Sequence, residues 1–144
     1  EPSATDRRLY DTVMEARAIA YGMIKPGARC SDIDLATQAF FKSKGHGERI
    51  IHRTGHGIGL GNHEQPWLSA GSVDVLAENM VISIEPALYF PEIGGFRHSD
   101  TVLVTKDGYE RITQYPDDLA ALIVREKRFF LQLKGRIIRS AIRY

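Results

Sequence analysis

His52-Arg53-Thr54-Gly55-His56-Gly57-Ile58-Gly59-Leu60-Gly61-Asn62-His63-Glu64-Gln65-Pro66 is the stretch on which the reading of this chain turns. Glycines on both sides of His56 let the backbone turn sharply and leave the imidazole unshielded. A metal ligand or a general base is presented in that way, whereas a core histidine is packed among larger neighbours. Gly-His-Gly also suits an ordinary loop, and spacing alone leaves both readings open. On either one, residues 55–66 are expected to be a loop.

Upstream, Ser3, Thr5 and Asp6 offer capping groups, and Leu9, Val13, Ala16, Ala20 and Met23 recur at helical spacing until Pro26-Gly27. Ser31-Asp32-Ile33-Asp34 fits a capping box ahead of the stripe Leu35, Ala36, Ala39 and Phe40, predicting a second helix that ends near Gly45-His46-Gly47. Downstream, short apolar runs predict strands at 80–84 and 96–104, and Asp107-Gly108 predicts a hairpin turn into 109–112. Two helices followed by an antiparallel sheet make an α+β domain.

Two further stretches carry chemistry. Met80-Val81-Ile82-Ser83-Ile84-Glu85-Pro86 ends a buried apolar run on an acid, which is costly unless the carboxylate meets a cation or backbone N–H groups. In Gly94-Gly95-Phe96-Arg97-His98-Ser99-Asp100-Thr101-Val102, alternation puts Arg97, Ser99 and Thr101 on one face and His98, Asp100 and Val102 on the other.

At 144 residues the chain is the size of one domain with a single core. Its 43% hydrophobic and 26% charged residues, with 13 Gly and 6 Pro, exclude disordered and collagen-like classes. The single cysteine, Cys30, can form neither an intrachain disulfide nor a Cys-type zinc site. No apolar run approaches the roughly 18–20 residues of a membrane span, and the first residues have no secretory signal, so the cytoplasm is the expected compartment. The net charge of +1 is unevenly spread, because residues 119–144 hold Arg125, Lys127, Arg128, Lys134, Arg136, Arg139 and Arg143 against the acid Glu126. Residues 1–118 are therefore expected to be the domain, and 119–144 a basic amphipathic helical extension that packs on the sheet or on another subunit. A nucleic-acid or anionic-lipid arm is the rival reading of that extension.

Together, Gly-His-Gly-Ile-Gly at 55–59, His63-Glu64-x-Pro66, Asn79-Met80-Val81-x-Ser83-Ile84-Glu85-Pro86 and Gly94-Gly95-x-Arg97-x-x-Asp100-Thr101-Val102-Leu103-Val104-Thr105 resemble the C-terminal half of pita-bread-fold peptidases. These form the Xaa-Pro aminopeptidase, prolidase and creatinase superfamily, and the resemblance covers about residues 5–118. It implies an α+β pita-bread half made of two helices and a curved antiparallel sheet, with an extra C-terminal helix. It also implies hydrolysis at a pair of divalent cations (manganese, cobalt or zinc) held by Asp, Asp, His, Glu and Glu. On that pattern His56 and Glu85 are metal ligands, His63 contacts substrate or moves a proton, and Arg97 is a site arginine.

The pattern departs in two places: the aspartates belong upstream of the first helix, and Ser99 stands where the last glutamate is expected. A one-residue shift to the creatinase-like Arg-x-His-Asp would instead make His98 the third ligand. Three readings stay open: a Xaa-Pro peptidase or a piece of one, with an incomplete dinuclear site; a creatinase-like metal-independent C–N hydrolase; and a silent binding module. The expected partners are a peptide or a small amide or guanidino substrate, and a second copy of the chain in a homodimer.

Overall fold

The computed structural model describes residues 1–124. Ser3 and Asp6 exchange backbone and side-chain hydrogen bonds in a capping box that starts helix α1 (Ala4–Met23), whose buried stripe is Leu9, Val13, Ala16, Arg17 and Ala20. Helix α2 (Cys30–Ser43) has Arg29 at its N-cap and no side-chain cap. The box expected at residues 31–34 does not form, because the Asp32 and Ile33 amides already bond to the Arg29 carbonyl and Ser31 lies inside the first turn. Asp34 instead joins Cys30, Ile33, Thr37 and Phe41 on the buried face.

Among the described residues seven strands follow: β1 (Gly55–Gly57), β2 (Glu64–Leu68), β3 (Val81–Ile84), β4 (Ala87–Phe90), β5 (Gly94–Arg97), β6 (Asp100–Val104) and β7 (Tyr109–Arg111). Five form an antiparallel sheet in the order β2-β1-β3-β6-β7, and β4 pairs with β5 in a separate hairpin. The run expected as one strand over 96–104 is thus divided at His98-Ser99, with one part in each sheet.

The expected loop over 55–66 is corrected more deeply, since Gly55-His56-Gly57 is a buried strand between β2 and β3. Its glycines serve close approach. A Cβ on Gly55 would run into the Ser83 carbonyl, and one on Gly57 into the Gln65 carbonyl.

Pairing sets two faces. Leu68, Gly55, Ile84 and Asp100 lie opposite one another across β2, β1, β3 and β6, and Trp67, His56, Ser83 and Thr101 form the next row, which points the other way. Leu68, Ile82, Ile84, Val102 and Val104 pack with Ala20, Ile24, Cys30 and Ile33. A second cluster joins Val13, Ala16 and Phe41 to Leu88 of the hairpin, with Phe90 and Phe96 against it. The helices therefore cover one face, and the row containing His56 lies on the other.

Residues 2–115 form one unit. Of the second, which begins at Pro116, the described part includes the single turn α3 (Leu119–Leu122), capped by Asp118 and ending at Ile123 in extended geometry. The rest of the helical extension expected over 119–144, from residue 125 onward, lies outside the described residues.

Candidate metal and substrate site

His56 emerges from β1 with its backbone N–H on the Ser83 hydroxyl at 3.1 Å. Its ring Nδ1 lies 2.9 Å from the Gly57 carbonyl, which can only accept, so Nδ1 carries a proton and, in the neutral ring, Nε2 keeps a lone pair. That lone pair faces Glu85 Oε1 at 3.3 Å, and the two side chains are 6% and 14% exposed. Two electron-rich atoms held this close in a sheltered place call for a cation or a proton between them.

The His63 ring lies over the His56 ring, with centroids 3.9 Å apart and planes tilted by 35°. One ligand atom from each of His56, His63 and Glu85 lies within 4.8 Å of the others. On the far side of Glu85, the half-exposed Arg97 guanidinium approaches Oε2 at 3.6 Å. The structure thus brings His56, His63, Glu85 and Arg97 into one group.

His98 is not part of it. Alternation turns its side chain to the helix-facing side with Asp100, where it is buried and its Nε2 lies 3.8 Å from Asp100 Oδ1. The ligand role that the shifted alignment gave to His98 therefore conflicts with its direction. Ser99 is exposed, and one step beyond the Ile84–Asp100 pair the register aligns it with Glu85. A neutral hydroxyl there adds no charge for a second cation.

Three acids brace the group. Asp34 Oδ1 accepts from the Thr54 N–H at 2.8 Å and the Thr54 hydroxyl at 2.7 Å, two residues before His56. Glu64 Oε2 accepts from the Gly61 N–H at 2.8 Å and closes the loop that carries His63. Asp100 accepts from Arg17 Nη1 at 2.7 Å and from the Tyr21 hydroxyl, tying α1 to the start of β6. Burial, then the hydrogen bond to Asp100 and its charge, push the Tyr21 phenol well above its ordinary range. Sequence reasoning missed these roles, although Asp34 left a signal: an acid at a position of α2 whose neighbours at helical spacing, Cys30, Thr37 and Phe41, are buried.

The donor set suits an intermediate cation such as zinc, manganese or cobalt, since it mixes imidazole with carboxylate. Two bonds of about 2.1 Å meeting at a tetrahedral angle hold their donor atoms about 3.4 Å apart. The Nε2 to Oε1 separation of 3.3 Å fits that span. A proton donated to a backbone carbonyl from the opposite ring nitrogen is the usual way a histidine ligand is oriented.

Comparison with known proteins adds family evidence to this geometry. The model of metallopeptidase family M24 matches residues 1–106. The putative dipeptidase YkvY of Bacillus subtilis is 46% identical over 114 residues, which are 79% of this chain and 31% of that protein. The Xaa-Pro dipeptidase of Pyrococcus furiosus is 41% identical over 118 residues, or 82% of this chain and 34% of that protein. Among solved structures, the prolidase from Pyrococcus horikoshii OT3 gives a TM-score of 0.80 at 39% identity, covering 83% of this chain and 34% of that one. The X-Pro aminopeptidase from Thermotoga maritima MSB8 gives 0.79 at 34% identity, covering 82% and 34%. The chain spans about a third of the length of these relatives.

Proposed function

The chain belongs to metallopeptidase family M24, and from that premise we propose that its His56 face is part of a hydrolase site that binds one divalent cation and addresses Xaa-Pro peptides. The observation that carries the reading is the 3.3 Å approach of His56 Nε2 to Glu85 Oε1, with Nδ1 already committed to Gly57.

His56 presents its lone pair, Glu85 offers Oε1, and His63 supplies a third donor or holds a proton beside the substrate. Arg97 draws on Oε2 and so keeps Oε1 turned toward His56. Such an ion, when bound, acidifies water and offsets the charge that develops on an attacked carbonyl. Ser99 in the place of a carboxylate limits the chain to one ion. The same reading keeps the cytoplasm as the compartment, and it makes the protein a homodimer because β2 and β7 are open edges among the described residues. Sedimentation at micromolar concentration checks the dimer, and a monomer there overturns that part.

Titration with zinc, manganese and cobalt, followed by elemental analysis, tests the site. The expected result is one ion per chain, with affinity falling at least about 100-fold in Glu85→Gln and in His56→Ala. Two tightly held ions per chain overturn the single-ion reading. No binding at all favours the metal-free reading, in which His56 works as base and acid on a C–N bond. Any hydrolysis should disappear in His56→Ala.

A further inference from the structure

A cavity of about 370 Å³ opens between α1, the end of α2 and the β4–β5 hairpin, and no residue of the His56 group lines it. Positions 5, 8, 9 and 12 recur at the spacing of one helix face, so α1 supplies a wall in which the buried Leu9 stands beside Arg8 and two threonines. Phe90 and Ile93 of the hairpin extend the apolar floor. Opposite them the chain leaves α2 through Gly45, whose φ of 80° is the left-handed conformation of a helix C-terminus, and the His46 N–H returns to the Phe41 carbonyl at 2.9 Å. That turn sets Lys44 and His46 at the rim, with the His46 ring edge-on to Phe90 at 5.6 Å between centroids. The charged groups here have one sign: Arg8, Lys44 and His46 are basic, and no lining residue is acidic. Lys44 is already answered by Glu15 at 3.3 Å. Arg8 meets only the neutral Thr5 hydroxyl, at 3.3 Å, and among the described residues no hydrogen bond takes up the His46 ring nitrogens.

We propose that this cavity is a second binding site, for a small carboxylate with a compact apolar body. The body lies on Leu9, Phe90 and Ile93, and Arg8 and His46 hold the carboxylate at the rim. A ligand divided in the same way as the cavity satisfies both halves at once: a neutral hydrocarbon leaves the guanidinium without a partner, and a bare inorganic anion leaves the floor in water. The volume is near the lower end, about 300 Å³, of pockets that hold small organic ligands, which suits a single ring system and not a folded partner. Because the cavity shares no residue with the His56 group, the proposal goes beyond the hydrolase reading and does not depend on it.

The probe is 2-naphthoate, with 2-naphthamide as its neutral analogue and inorganic phosphate as an anion without a body. Each is titrated into the full chain in EDTA, and binding is read by calorimetry and by saturation-transfer NMR on the ligand. One naphthoate per chain is expected, bound at least about 5-fold more tightly than the amide. Arg8→Met should bring the acid down to the affinity of the amide. Thr12→Trp, which fills the cavity from α1, should abolish binding of both, whereas Arg7→Met, outside the lining, should change neither. If Thr12→Trp fails to melt cooperatively, the two arginine variants decide. Equal affinity for acid and amide, phosphate bound as tightly as naphthoate, a preference that survives Arg8→Met, or one lost in Arg7→Met would each overturn the proposal. Binding that disappears in His56→Ala would place the probe at the other site and overturn it as well. Ion stoichiometry should be the same in Arg8→Met as in the parent chain, so the two sites stand or fall separately.

Discussion

The Thr54-Gly55-His56 segment is aimed by groups that never touch a substrate. Asp34 accepts two hydrogen bonds from Thr54 and one from Gln38 Nε2, so Asp34→Ala leaves three donors without their acceptor. It is expected to cost about 2 to 4 kcal/mol and to weaken ion binding as well, measured by urea unfolding and by ion titration. Tyr21 has a pH-dependent role. Its phenol donates to Asp100, and its folded pKa is raised, so the folded chain holds this proton where the unfolded chain releases it. The contribution is complete below about pH 10 and declines as pH rises above that value. Urea midpoints should therefore fall as pH rises above about 10 in the parent chain, and by less in Tyr21→Phe. Cys30 is buried in the helix–sheet cluster, and burial, aided by the Asp74 carboxylate, pushes its thiol up from 9.0 to about 11. At pH 8 its thiolate is about 100-fold scarcer than in the unfolded chain, and iodoacetamide should label it correspondingly slowly until urea is added.

At the scale of elements, β1 is the least expected feature, because glycine is disfavoured in strands and the flanking pair looks like a turn. What makes it a strand is long-range: the Ser83 and Gln65 carbonyls approach so closely that only glycine fits. Gly55→Ala and Gly57→Ala should therefore disrupt folding, as read by loss of a cooperative melt. Gly22→Ala, in open space near the end of α1, should instead stabilise by about 0.5 kcal/mol. Helix α1 was legible because its caps and its apolar spacing are local signals that agree. The break at His98-Ser99 was not, since alternation continues through it and only partner strands reveal the change of sheet. His56, His63, Glu85 and Arg97 could be singled out from sequence, whereas the bracing role of Asp34 takes its meaning from contacts across the fold.

For the whole molecule, residues 2–115 close both apolar clusters by themselves. A chain ending at Asp118 is thus expected to keep its ion stoichiometry. If 119–144 is a packing extension, that truncation should also lower the melting temperature or split the dimer. Calorimetry and sedimentation check both, and an unchanged melt and dimer would count against the packing role. The sheet has a consequence in time as well as in space. Arg17 meets Asp100 across 83 positions, and the last donor of the site, Glu85, follows β3, well after the two helices. Contacts of such long range form late. During synthesis the helix pair can assemble on the ribosome while the site does not yet exist, so a nascent chain is unable to gather its three donors until Glu85 has emerged.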